Sequence, residues 1–242
     1  MNLIHVFIIY LEVDVMQYEI KGGSMPVAIC KLQSGERIIS ESGAMGWMSD
    51  NIDMDTNLKG GLFGGIGRAL SGDSIFLNIF TCGRGEGEIA FPCAVPGKII
   101  AKNLHEGQVL ICQKGAFLAS ESSVDFKIHL KKRLSAGFFG GEGFILQRIT
   151  GPGLVFLEFD GHVEEVDLAP GEKLKVDTGH VAAFDSTVLF DIEMVKGVKN
   201  VLFGGEGLFL TTLTGPGRVY LQTMPMSNLA ARLSYYMPSR QG

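Results

Sequence analysis

The chain has 242 residues, of which 46% are hydrophobic and 33 are glycine, and its formal net charge is −5 at pH 7. A chain of this length can bury a large core, as one all-β domain or as two smaller domains. The acidic balance excludes a general electrostatic attraction to nucleic acid or to an anionic membrane surface, since both favour dense Lys and Arg.

The first fifteen residues, MNLIHVFIIYLEVDV, are largely apolar but contain Glu12 and Asp14 and no preceding Lys or Arg. This pattern is typical neither of a signal peptide nor of a membrane span. Met16 opens MQYEIKGGSMPV, which is typical of a first strand. We expect residues 1–15 to be an N-terminal extension from an upstream start codon, with an extra edge strand as the alternative.

A segment with two adjacent glycines occurs three times. FGGEGFILQRITGPG at 139–153 is followed by FGGEGLFLTTLTGPG at 203–217, an offset of 64 residues. A third copy begins at Phe63-Gly64-Gly65, where a short insertion lengthens the loop. Self-similarity at a fixed period is the signature of repeated structural units.

A second motif, a leucine followed by glycines three and eleven residues later, begins at Leu32, Leu104 and Leu168. The last two copies are again 64 residues apart, so two independent motifs share one period. The sequence therefore predicts a single domain over residues 16–224 made of three units, about 16–95, 96–160 and 161–224. A tail over 225–242 follows.

Short runs of alternating apolar residues fill each unit, for example at 144–149 and 154–159. Regularly spaced short runs of this kind that end at Gly, Pro, Asp or Asn predict strands of an all-β sandwich or barrel. In the tail, Asn228-Leu-Ala-Ala-Arg-Leu-Ser234 predicts a short helix with Asn228 as its N-cap.

The conspicuous glycines are predicted to turn the chain and to bind nothing. Thr150-Gly-Pro-Gly153 and Thr214-Gly-Pro-Gly217 lie between apolar runs, and Pro with Gly favours chain reversal, so we predict a hairpin turn at each. A phosphate-binding loop is the alternative for FGGEG, but no GK[ST] or helical pattern follows, and Glu142 and Glu206 would repel a phosphate. The predicted turn glycines are Gly64, Gly65, Gly140, Gly141, Gly151, Gly153, Gly204, Gly205, Gly215 and Gly217.

No catalytic or metal-binding pattern stands out. The five histidines are isolated, and although the segment before His180 resembles a cupin strand pair, it contains only that one histidine. Cys30, Cys82, Cys93 and Cys112 show no CxxC spacing, so we expect reduced, buried thiols in a cytosolic protein, with a Cys82–Cys93 bridge as the alternative. We expect neither an enzymatic activity nor a cofactor or metal.

Two residues are candidates for an interaction surface. Trp47, the only tryptophan, lies among methionines in GAMGWMS, a composition favoured at adaptable interfaces but also in cores. Arg68, in the lengthened loop, is a candidate anion contact or simply an exposed loop residue. The one tribasic run, Lys131 to Arg133, is more typical of a solvated edge than of a nucleic-acid site.

The combination of SGERIISESGAMGWMSDNIDMDT, GGLFGGIGRALSGDSIFLNIFT, FFGGEGFILQRITGPGLVFLEFDG and VLFGGEGLFLTTLTGPG closely resembles the bacterial branch of the altered-inheritance-of-mitochondria protein 24 family, from about Met16 to Gln222. The resemblance implies repeated β-sandwich, double-stranded β-helix-like units around a pseudo-threefold axis, similar to the tryptophan RNA-binding attenuation protein. It implies no enzymatic activity, and this chain lacks the targeting segment of the mitochondrial members.

These observations favour a cytoplasmic, non-enzymatic β scaffold that acts as a protein-interaction or assembly module. The protein partner is unknown, and a homo-oligomer is compatible with the sequence. One alternative is a small-ligand or RNA binder by analogy with the attenuation protein, although fold analogy alone does not carry function. Another is a cupin-like metalloenzyme.

Overall fold

A computed structural model of the chain describes residues 16–55, 77–132, 144–194 and 209–236. These residues form strands and one α-helix, α1 (Met226–Tyr236), which confirms the predicted all-β fold with a short C-terminal helix. The strands are β1 (Gln17–Lys21), β2 (Val27–Gln33), β3 (Arg37–Glu41), β4 (Trp47–Met48), β5 (Ile52–Asp55), β6 (Leu77–Cys82), β7 (Glu86–Pro92), β8 (Gly97–Leu104), β9 (Val109–Gln113), β10 (Phe117–Glu121), β11 (Asp125–Lys132), β12 (Phe144–Thr150), β13 (Gly153–Asp160), β14 (Val163–Leu168), β15 (Lys173–Asp177), β16 (Val181–Asp185), β17 (Leu189–Met194), β18 (Phe209–Thr214) and β19 (Gly217–Gln222).

The strands make four sheets. The first has the order β1-β2-β7-β4, and the fourth has the order β15-β18-β17. Between them, the second sheet runs β5-β6-β3-β10-β13-β8 and the third runs β11-β12-β9-β16-β19-β14. The third sheet thus repeats the second with every strand replaced by the one six places later in the chain.

The strand register repeats in the same way. Leu104 lies opposite Gly153 in the β8–β13 pair, and Leu168 lies opposite Gly217 in the β14–β19 pair. Each residue of the second pair is 64 positions after its counterpart. The sequence period is therefore also the period of the backbone hydrogen bonding in these strands.

The alternation of buried and less buried residues shows which face of an outer strand packs on the core. In β2, Ala28, Cys30 and Leu32 are buried, whereas the residues between them are half-buried. Successive side chains of a strand point to opposite faces, so this pattern places one face on the core. The central strands β3 and β10 are buried on both faces because they lie in the middle of a six-stranded sheet.

Three apolar clusters join neighbouring sheets. One joins the first and second sheets, another joins the second and third, and another joins the third and fourth. Aromatic rings fill much of this space; Phe117 and Phe126 meet edge to face with 4.5 Å between centroids. Burial of each such side chain contributes roughly 1.5–3 kcal/mol to folding.

The helix begins two residues earlier than the N-cap prediction at Asn228. The Met226 N–H donates to Oδ2 of Asp160, at the end of β13, over 2.8 Å. A carboxylate from a distant strand thus satisfies a donor of the first turn, and a carboxylate near a helix N-terminus is favourable. Asn228 lies inside the helix instead, with its amide 3.4 Å from Nε2 of His180.

Candidate functional site: two unpaired strand edges

Recurring hydrogen bonds identify strands that occupy equivalent places. The turns after β2, β8 and β14 each contain a glycine with positive φ. The side chain of the residue after this glycine accepts a hydrogen bond from the backbone N–H of the residue three positions before it. The glycines are Gly35, Gly107 and Gly171, and the acceptors are Glu36, Gln108 and Glu172.

A second recurring bond follows β4, β10 and β16. Each of these strands is followed or ended by a side chain that accepts a backbone N–H from a neighbouring strand. The donor–acceptor pairs are Glu88 and Ser49 at 2.9 Å, Leu154 and Glu121 at 2.8 Å, and Arg218 and Asp185 at 3.0 Å. β4, β10 and β16 are therefore similar in this hydrogen bond.

The equivalent strands also join successive parts of the chain. β10 pairs with β3, with Ala119 opposite Ser40. β16 pairs with β9 in the same antiparallel manner, with Ala183 opposite Cys112. Each pairing fuses two three-stranded groups into one six-stranded sheet.

β4 is similar to β10 and β16, and β15 is similar to β3 and β9. In the part of the chain that the structure describes, neither β4 nor β15 pairs with a strand of another unit. β4 pairs with β7 on one side, and β15 pairs with β18 on one side. Each therefore leaves an edge whose backbone N–H and C=O groups point away from its sheet. Such an edge is a template for another strand.

Burial reflects the missing neighbours. In β3 and β9 the three central residues are buried, whereas in β15 only Val176 is. Lys175 is exposed and occupies the place of Ile39 and Ile111, which are both about 1% exposed. This exchange of isoleucine for lysine is a sequence signal for an open edge that the glycine and leucine motifs do not contain.

Trp47, the first interaction candidate, lies on the β4 edge. Its side chain is 54% exposed, whereas its counterparts Ala119 and Ala183 are fully buried. The next residue, Met48, packs against the cluster that joins the first and second sheets. The methionine anchors the strand and leaves a large aromatic side chain at the open edge.

Charges of both signs lie beside the edges. Lys173 and Lys175 are exposed on β15, and Lys175 Nζ is 3.4 Å from Oε1 of Glu193 on β17. Asp50, two residues after β4, is exposed. β15 thus carries two exposed ammonium groups, and the chain beyond β4 carries an exposed carboxylate.

The other sequence-predicted sites lie in connections between strands or outside the described residues. Gly64, Gly65, Arg68, Gly140, Gly141, Gly204 and Gly205 fall in the latter group. Gly151 and Gly215 precede prolines in the β12–β13 and β18–β19 connections, and Gly153 and Gly217 begin the next strands with φ of +136° and +141°. Each connection joins strands of two different sheets, so the predicted hairpins at these positions are wrong. The Lys131–Lys132 backbone ends β11, and Arg133 lies beyond the described range.

Several polar groups of the interior have hydrogen-bond partners, whereas the buried Oδ1 of Asn51 has none among the described residues. Nδ1 of His180 lies 2.7 Å from the Gln222 carbonyl oxygen. All four cysteines are buried and free, so the Cys82–Cys93 bridge is absent from the structure. Burial raises the pKa of the Cys30 and Cys93 thiols to about 12. Across the described ranges, no three His, Cys, Asp or Glu side chains are grouped to hold a metal ion.

Glu158 is a half-buried carboxyl group that the sequence did not reveal. Burial raises its pKa to about 7, and the N–H of Ala94 donates to its Oε2 over 3.2 Å. It lies on β13 between the buried Leu157 and Phe159. Strand alternation alone would place it with the exposed residues, and its partners Ala94 and Cys93 lie far away in the sequence.

Among the described residues, no helix is long and apolar enough to cross a membrane. The chain is similar to an uncharacterized protein of Streptococcus pyogenes serotype M6, with 29% identity over an alignment of 222 residues and a coverage of 88% of each chain. It is also similar to a crystal structure of a Streptococcus pyogenes protein, with 27% identity and a TM-score of 0.74 over 92% of this chain and 100% of that one. A sequence model of the family described as Mitochondrial biogenesis AIM24 matches residues 18–224, which confirms the resemblance that the motifs indicated, and the chain belongs to this family.

Proposed function

We propose that the protein is a non-enzymatic β scaffold, built of three equivalent units, that acts as a protein-interaction and assembly module. The observation that carries the proposal is the pair of unpaired edges, β4 and β15, whose counterparts each bind a neighbouring strand. An exposed edge binds an extended segment through main-chain hydrogen bonds, and adjacent side chains give the specificity.

The three-unit organisation is part of this proposal. The recurring turn glycines, their acceptor side chains and the bonds after β4, β10 and β16 support it. Three units in a row have two internal junctions, β3 with β10 and β9 with β16. One strand edge then stays unpaired at each end of the row, β4 in the first unit and β15 in the third. These two unpaired edges can each bind an extended segment, and such binding needs no catalytic or ligand pocket.

We assign the protein to the cytoplasm in the same proposal. Four buried thiols without a bridge suit a reducing compartment, where disulfides rarely persist. Fractionation of the native cells, with compartment markers as controls, tests this assignment; recovery with the membrane or secreted fraction would contradict it.

Site-specific photocrosslinking in the native cells tests the interaction function. A benzophenone amino acid replaces Trp47, at the β4 edge, or Met54, which is 47% exposed on β5 and serves as the control. We expect a protein adduct at position 47 that exceeds the adduct at 54 and is reproduced with purified components. Equal adducts at both positions, or none at 47, would contradict the proposal.

RNA titration separates the module from the alternative of an RNA binder. We expect no saturable nanomolar binding of single-stranded RNA near physiological salt, because tight binding needs clustered cations that release many counterions. Nanomolar binding that is lost when Lys131, Lys132 and Arg133 are replaced by Ala would favour the RNA binder.

A further inference from the structure

We propose that the two open edges are complementary, so that β4 of one copy pairs antiparallel with β15 of a second copy, with Trp47 opposite Val176. This inference rests on the proposed function and deepens it by naming the partner and the register. The inference is based on the two internal junctions, in which β3 pairs with β10 and β9 pairs with β16. In each junction, one strand corresponds to β15 (β3 or β9) and the other corresponds to β4 (β10 or β16).

The register follows from the equivalent positions. Trp47 corresponds to Ala119 and Ala183 because each lies opposite an equivalent residue of β7, β13 or β19. Val176 corresponds to Ser40 and Cys112 because each is the fourth residue of its strand. Since Ala119 lies opposite Ser40 and Ala183 opposite Cys112, Trp47 lies opposite Val176.

The side chains at this junction suit a contact between copies. The register places Met48 opposite Lys175, and the exposed Asp50 follows in the turn after β4, beyond the last pair of the two internal junctions. The aliphatic stem of Lys175 can cover Met48 while its charge stays in water. Trp47, more than half exposed in one copy, would be covered, and tryptophan is enriched among residues that dominate interface energy.

A second copy is the partner that the described geometry favours over closure within one chain. No backbone hydrogen bond joins β4 to β15 among the described residues. Lysine at position 175 also departs from the buried isoleucines of the two internal junctions. A contact between two different edges is heterologous, so copies joined in this way form a closed ring or an open chain.

Disulfide crosslinking between two differently tagged variants tests both the partner and the register. A Met48→Cys chain is mixed with a Lys175→Cys chain under mild oxidation. The matched control mixes Met48→Cys with Lys173→Cys, because Lys173 lies on the same face of β15, two residues away. The native cysteines are buried and compete little.

We expect the mixed disulfide of positions 48 and 175 in roughly tenfold excess over that of 48 and 173, because diagonal partners lie too far apart for an unstrained disulfide. In parallel, Trp47→Ser should lower the mass-average size measured by light scattering at the same protein concentration. Equal disulfide yields for both mixtures, or no mixed disulfide, would overturn the inference.

The double variant Met48→Cys/Lys175→Cys separates the two proposals. A disulfide mainly within one chain would show that the edges close internally, which overturns this inference and the proposed function together. If no disulfide forms between copies but a photoreactive residue 47 captures a different protein reproducibly, this inference alone fails.

Discussion

Replacement of Glu158 by Gln should stabilise the protein at neutral and alkaline pH but not at acidic pH. Glu158 lies on β13 among buried apolar residues, and its Oε2 accepts the Ala94 N–H over 3.2 Å. Burial is the main cause of its raised pKa, the Ala94 bond opposes the shift, and the charge of Asp160 adds to it. Gln keeps an oxygen for Ala94 and removes the ionisable group.

The size and direction follow from proton linkage. The pKa is about 7 in the folded protein against the ordinary value of 4.5 for a glutamate side chain. Between these values the unfolded chain is ionised while the folded chain keeps its proton, so the free energy of unfolding falls as pH rises. The free energy of unfolding falls by about 1.4 kcal/mol for each pH unit between the two pKa values, and by up to about 3 kcal/mol over the whole interval.

Urea unfolding followed by circular dichroism measures the effect. Wild type and Glu158→Gln are compared at intervals from pH 4 to pH 8, with the exposed Glu106→Gln as the matched control. We expect the first variant to match wild type near pH 4 and to exceed it by up to about 3 kcal/mol near pH 8. Glu106→Gln should follow wild type throughout.

The refuting result is a constant difference. If wild type and Glu158→Gln lose stability in parallel between pH 4.5 and 7, Glu158 does not carry a raised pKa and the burial argument is wrong. A variant that is less stable at every pH would instead show that the carboxylate is needed as a stronger acceptor for Ala94.

Three further predictions concern the fold. Gly217→Ala should lower the free energy of unfolding by roughly 1–3 kcal/mol, because φ is +141° and a Cβ would lie 2.7 Å from Thr187 Oγ1. The control Gly115→Ala, where a Cβ would meet open space, should change it little in the same urea unfolding experiment. Equal losses for both variants would contradict this prediction. Phe184→Ala should cost about 3–5 kcal/mol, since the ring is buried and stacked on Phe190; a loss under about 1 kcal/mol would refute its core role. Thiol titration at pH 8 should find the cysteines slow before denaturation and reactive after it, and a fast native thiol would disprove their burial.

The sequence by itself determined the β class, the period and the family. Alternating runs such as 144–149 predict strands because successive side chains face opposite sides, a property of the local backbone. The 64-residue offset was visible without any contact, and it reappears in the register of Leu104 and Leu168. The motifs also indicated the AIM24 family, which the match over 18–224 confirms.

Only the tertiary structure decided which strands meet. The pairing of β10 with β3 joins residues far apart in the chain, and strand alternation does not choose among partners with similar patterns. The burial of Glu158 and the start of α1 at Met226 likewise depend on segments distant in sequence. Whether Trp47 is core or surface depended on whether another strand covers β4, and the described structure leaves it exposed because none does.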